Sequence, residues 1–173
     1  MAGDLAAGKA SIWKPVAVAA LAAVLVAAIG GFATEIGPWY RSLVKPSFQP
    51  PDWLFGPAWT VIYAFTVLSA AKAWVAVADR PDSNRLRRWI VGLFAFNIVL
   101  NILWSLLFFT FRRPDWALFE VVFLWASIAA LIWTMWRVSR PAAWLLVPYQ
   151  TWVTFASILN IAVVQLNAPF ARQ

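Results

Sequence analysis

The chain is 173 residues long, 63% hydrophobic and only 12% charged, which leaves too few charges to clothe a soluble domain of this size. It contains no His and no Cys, excluding disulfides, zinc sites of the usual type, thiol nucleophiles and His-based acid–base catalysis. The formal charge of +7 falls mostly between apolar runs, the pattern of loops at a membrane surface rather than of a nucleic-acid-binding face.

Crossing a bilayer core takes roughly 20 apolar residues in helical form, because each adds about 1.5 Å. The first 14 residues read as a flexible Ala/Gly/Lys arm, and residues 15–170 as one transmembrane domain. Within it the predicted spans are 15–34, 54–78, 89–111, 116–136 and 141–168. Between the first two spans, residues 35–53 carry Pro38, Pro46, Pro50 and Pro51, so this longer loop cannot be helical throughout. Apolar residues surround the spans on every face, and ten-residue alternating strands are absent. The expected fold is therefore an all-α integral membrane protein, a five-transmembrane-helix bundle.

Counting Lys and Arg orients the chain. Eight lie on the side of the N-terminal arm and five on the side of the long loop, so the positive-inside rule puts the N-terminus in the cytoplasm. A bacterial membrane is the expected location, with the mitochondrial outer membrane as the alternative. Ala23, Ala27 and Gly31 recur every four residues, a spacing that would let a second protomer approach the first span closely.

Polar side chains at membrane depth are the candidates for function, since lipid offers them no partners. Asn97 and Asn101 share a helical face that Trp104, Ser105 and Phe108 continue. Such amides either bond neighbouring helices together or meet a ligand. Glu120 is the one acid deep within a span. It could favour the positive start of its helix, pair with Arg112 or Arg113, or take part in proton or ligand chemistry. Of the 13 Trp, six (Trp39, Trp53, Trp89, Trp116, Trp136 and Trp144) fall near span ends, where aromatic belts are expected. Trp59, Trp104, Trp125, Trp133 and Trp152 sit deeper, as packing residues or as the walls of a pocket for a flat ligand.

Three blocks carry a resemblance. Residues 39–63 (WYRSLVKPSFQPPDWLFGPAWTVIY), 97–109 (NIVLNILWSLLFF) and 148–160 (PYQTWVTFASILN) resemble, in order and spacing, the motifs of the TspO/translocator family of tryptophan-rich sensory proteins. The resemblance implies a commonly dimeric five-helix bundle whose long loop acts as a lid over a cavity. It also implies a receptor or sensor for porphyrins and related tetrapyrroles, with protoporphyrin IX or haem as ligand and no cofactor required. Light-dependent porphyrin degradation, or transport of porphyrin- or sterol-like molecules, is the alternative; no catalytic residue is expected. Carried over by position, the pocket would draw on Tyr40, Pro50 and Pro51 from the lid, Trp59 and Tyr63, Asn97 and Asn101, and Trp152, Phe155 and Ala156. Glu120 falls where many members have an acid, and Trp104 lies on the Asn97–Asn101 stripe. Phe48 stands where the family usually has Trp and Asn97 where Gln is common, and no basic residue follows Tyr149 to complete a sterol-type pattern. Arg41 and Lys45 on the loop either meet the carboxylates of a porphyrin or are simply solvated loop charges.

Overall fold

The computed structural model describes residues 13–34 and 36–170, all of them helical or irregular, with no strand among the described residues. Seven α-helices follow in order: α1 Trp13–Ala33, α2 Pro38–Ser42, α3 Phe55–Ala76, α4 Ser83–Ser105, α5 Pro114–Val138, α6 Arg140–Trp144 and α7 Val147–Asn167. Proline marks four of the starts. It stands at the first or second position of α2, α5, α6 and α7, where a missing N–H costs nothing. Four helical stretches, Asp52–Ala76, Ser83–Thr110, Pro114–Val138 and Arg140–Asn167, are long and apolar enough to cross a membrane. The helix α1 adds a further, shorter apolar stretch, Val16–Val26.

Three boundaries differ from the sequence expectation. Helix α1 already begins at Trp13, inside the segment read as a flexible arm; residues 1–12 lie outside the described part. Helix α4 starts at Ser83 rather than at residue 89, because a helix runs on through Arg85, Arg87 and Arg88 once it has left the hydrocarbon. The last span is broken at Leu145–Leu146 into α6 and α7.

Helix α5 is the spine of the bundle and packs against α4, α6 and α7. Its buried residues Ala117, Val121, Leu124, Ile128, Leu131 and Met135 are spaced alternately four and three apart, a continuous seam. All three buried clusters draw on that seam: Ala117 near the long loop, Val121 to Ile128 in the middle, and Leu131 and Met135 at the far end. The opposite face shows Phe119, Val122, Phe123, Trp125 and Trp133 outward, as a lipid-facing surface does. Helix α1 packs on α3 and α4. Gly31 on α1 has open space where a Cβ would stand, so it serves no close helix approach among the described residues.

The end of α4 is unusual. Leu106–Thr110 form a π-helical turn, closed by Phe111 N–H donating to the Leu106 carbonyl at 2.8 Å. Arg112 then takes a left-handed φ of 54°, and Arg113 N–H reaches back to the Leu107 carbonyl at 2.9 Å. This reversal delivers the chain straight into α5 at Pro114. Phe108, within the π turn, is buried as Asn97 and Asn101 are.

Candidate functional site

Residues 36–53 form an ordered knot. Asp52 sits at its centre: Tyr40 Oη donates to its carboxylate at 3.1 Å, Gln49 Nε2 at 3.2 Å, and Lys45 Nζ forms an ion pair with it at 3.1 Å. Gln49 also donates to Tyr40 Oη at 3.1 Å, and the Lys45 ammonium lies 4.1 Å from the centre of the Tyr40 ring. Asn167 at the end of α7 clamps the loop from below. Its amide accepts from Val44 N–H at 2.8 Å and donates to the Val44 carbonyl at 2.9 Å, the two bonds a neighbouring peptide would make. Lys45 is thus engaged by Asp52, while Arg41 remains exposed.

Burial, joined by the neighbouring Asp52 charge, pushes the Tyr40 phenol up to about 12. A tyrosine whose folded pKa exceeds its unfolded value of about 10 contributes its stability below that value and loses it as pH rises toward the folded one. The knot is therefore expected to loosen between about pH 10 and 12. Phenolate absorbance from Tyr40 should appear in that window, later than from a free tyrosine, and Tyr40→Phe should remove the step.

Beneath the loop an aromatic series runs down α3 and α7. Trp152 meets Phe55 edge-on at 5.6 Å and Phe155 at 5.9 Å, Trp59 stacks on Tyr63 at 5.3 Å, and Trp59 meets Tyr149 edge-on at 5.9 Å. Deeper lies a chain of hydrogen bonds across four helices. Tyr63 Oη donates to Asn101 Oδ1 at 3.3 Å, Asn101 Nδ2 to Tyr149 Oη at 3.2 Å, and Tyr149 Oη to Asn97 Oδ1 at 3.3 Å. Asn97 Nδ2 donates on to Ser127 Oγ at 2.8 Å, and Ser127 to the Leu124 carbonyl at 2.7 Å. The side chains of Asn97, Asn101, Ser127 and Tyr149 are buried. Each amide nitrogen carries two hydrogens and spends one in this chain, so one N–H of each Asn has no partner among the described residues.

These groups form the polar floor of a cleft of about 690 Å³ between α1, α3 and α4. Tyr63, Asn97, Asn101 and Tyr149 line it together. The remaining walls are apolar apart from Thr66, whose hydroxyl is spent on the Ile62 carbonyl, and the small side chains of Ala19, Ala23, Ala70 and Ala95 from the three helices leave the space open. The size lies within the roughly 300–1,000 Å³ of typical small-molecule sites. A larger hollow of about 1000 Å³ opens at the loop end, between Trp39, Phe111, Arg112, Arg113, Trp116 and Asn167. It is lined by none of the residues expected from sequence to bind ligand.

Of those residues, Tyr63, Asn97 and Asn101 come together in the cleft, and Trp59 backs it through Tyr63 and Tyr149. The others lie elsewhere. Tyr40 belongs to the loop knot; Pro50 is half-buried and Pro51 exposed in the same loop. Trp152 and Phe155 continue the aromatic series toward the loop, with Ala156 half-buried beside them on α7. Trp104 stacks on Phe108 at 5.2 Å, with its indole N–H buried and unbonded. Glu120 is buried on α5 with neither carboxylate oxygen hydrogen-bonded, and the expected partner Arg113 is instead held by Asp115. Sequence reasoning missed Tyr149 and Ser127. A phenol at membrane depth needs a bonding partner, and that need was the signal pointing to Tyr149.

A profile of the TspO/MBR family matches residues 17–166, nearly the whole described chain. The chain belongs to the TspO/MBR family. This TspO/MBR chain is 38% identical over 159 residues to the tryptophan-rich protein TspO of Chlorobaculum tepidum, covering 89% of this chain and 98% of that one. It is 37% identical to the protein CrtK of Rhodobacter capsulatus, over 76% of this chain and 79% of that one. It is also 33% identical to the translocator protein of Bos taurus, over 90% and 91% of the two chains. With its apolar helices, this family membership makes it a multi-pass membrane protein of the sensor and translocator group.

Proposed function

We propose that the chain is a membrane receptor that binds porphyrins and related tetrapyrroles in an aromatic-lined pocket within the bundle. In this reading five helices span the membrane, the N-terminus lies in the cytoplasm, and two protomers associate as a dimer. The observation that carries the reading is the cleft floored by Tyr63, Asn101, Tyr149 and Asn97 and backed by Trp59. Its apolar walls suit a flat ring, and the two spare amide N–H groups would give acceptor atoms on that ring fixed partners. The absence of His and Cys removes the commonest axial ligands to haem iron, which favours a metal-free porphyrin.

Titration of the purified chain with protoporphyrin IX tests the proposal. Trp emission should be quenched saturably, and Trp59→Ala together with Asn101→Leu should each weaken binding about ten-fold, the effect of losing roughly 1.4 kcal/mol. Emission unchanged in the parent at any porphyrin concentration would overturn it. Repeated under illumination, the titration also separates binding from light-dependent degradation, for which porphyrin must bleach faster with protein than without.

A further inference from the structure

At the end of the bundle away from the long loop, two separate turns bring arginines together. The 77–82 turn and the start of α4 supply Arg80, Arg85, Arg87 and Arg88; the junction of α5 and α6 supplies Arg137 and Arg140. Arg80 Nη2 donates to the Arg137 carbonyl at 3.3 Å, which ties the two turns into one surface. Two acids share this end, Asp79 and Asp82. The ion pairs among the described residues are Lys45–Asp52 and Arg113–Asp115, so neither Asp79 nor Asp82 neutralises an arginine here.

Indole rings set the height of the guanidinium groups. Arg87 lies 4.7 Å over Trp74, Arg137 lies 4.3 Å over Trp133, and Arg140 lies 5.6 Å over Trp136. Trp136 stands at the end of its span, where lipid headgroups lie, and Trp74 and the deeper Trp133 stand in the last turns of α3 and α5, so stacking brings these cations toward the same level. A guanidinium retains its forked N–H donors while lying on a ring, and that fork fits a phosphate.

We propose that this six-arginine surface is a binding site for the phosphate headgroups of anionic phospholipids in the surrounding bilayer. The occupant is specified by charge complementarity and by depth. Six guanidinium groups without an ion-pair partner among the described residues, three of them stacked on indole rings, face phosphates carrying net negative charge, and each adds attraction that falls off within a Debye length.

The test is lipid retention by the full chain in native mass spectrometry, after reconstitution with equal amounts of phosphatidylglycerol and phosphatidylcholine. Phosphatidylglycerol adducts should exceed phosphatidylcholine adducts at least about five-fold, as expected from one arginine's worth of surface attraction. The excess should shrink as salt rises. Arg85→Gln with Arg88→Gln, both at exposed positions, should abolish most of it. Removing the same charge from the loop end, by Arg41→Gln with Arg112→Gln, should leave it intact. Equal retention of the two lipids by the parent, or an equal loss from both double variants, would overturn the proposal. The parent comparison stands even where a variant fails to fold.

Discussion

Tyr149→Phe is expected to lower the unfolding free energy by about 1–3 kcal/mol, although it removes a single oxygen. The Tyr149 hydroxyl accepts from Asn101 Nδ2 and donates to Asn97 Oδ1, so its loss strands a buried donor and a buried acceptor together. Interhelical hydrogen bonds in membranes average about 0.6 kcal/mol, which sets the lower end for two such bonds. A desolvation penalty of about 1.5 kcal/mol on each of the two orphaned groups sets the upper end. The ring itself should hold its place, because Val153 and Ile62 belong to the same buried cluster and Trp59 packs on it edge-on. Denaturant unfolding in mixed micelles measures the loss. A cycle with Asn101→Leu should show a coupling of about 0.6–1.7 kcal/mol, since the second substitution removes one of the stranded partners. Strictly additive single effects would mean that the bond contributes nothing.

Glu120→Leu is expected to act in the opposite direction and raise stability by about 1–2 kcal/mol, less than the cost of an acid at mid-span because Glu120 stands on the second turn of α5. Glu120 is 5% exposed, and neither of its carboxylate oxygens has a hydrogen-bond partner. Leu has similar volume and fits a helix face already lined by Val121 and Leu124. Glu120→Gln, which removes the acid and keeps a polar group, should recover less. A melting temperature for Glu120→Leu equal to or below that of the parent would show that the acid has a stabilising partner. Should the variant gain stability and lose protoporphyrin binding, Glu120 would be a residue kept for function at the expense of the fold.

The contrast between these two residues shows what could be read from sequence. The shared face of Asn97 and Asn101 follows from their spacing of four, and the structure places both in the cleft. What spacing on one helix cannot supply is the partner on another. Tyr149 and Ser127 complete the chain of hydrogen bonds from α7 and α5, and only tertiary packing brings those helices to α4. Of the options open for Glu120, pairing with Arg113 is excluded for a local reason, since Asp115 lies two residues from Arg113 and holds it. The limits of the spans were legible to within the reach of hydropathy. Hydropathy stops at the first arginine, whereas α4 continues through Arg88 to Ser83 because the headgroup region solvates those charges without ending a helix. The Trp residues divided much as their positions suggested. Trp53, Trp89, Trp116, Trp136 and Trp144 are exposed, Trp39 packs edge-on against Phe108, and of the deeper five Trp125 and Trp133 face outward.

The clamp of Asn167 on Val44 joins two stretches of chain 123 residues apart. The same amide also donates to the Val163 carbonyl at 2.8 Å, inside the last turn of α7. Lifting the loop therefore withdraws a bond from that turn, and fraying that turn releases the loop. The two make one cooperative opening unit. Any molecule entering from this side works against the end of α7 as well as the cover above it, so a reporter placed on the final turn would register each opening of the loop.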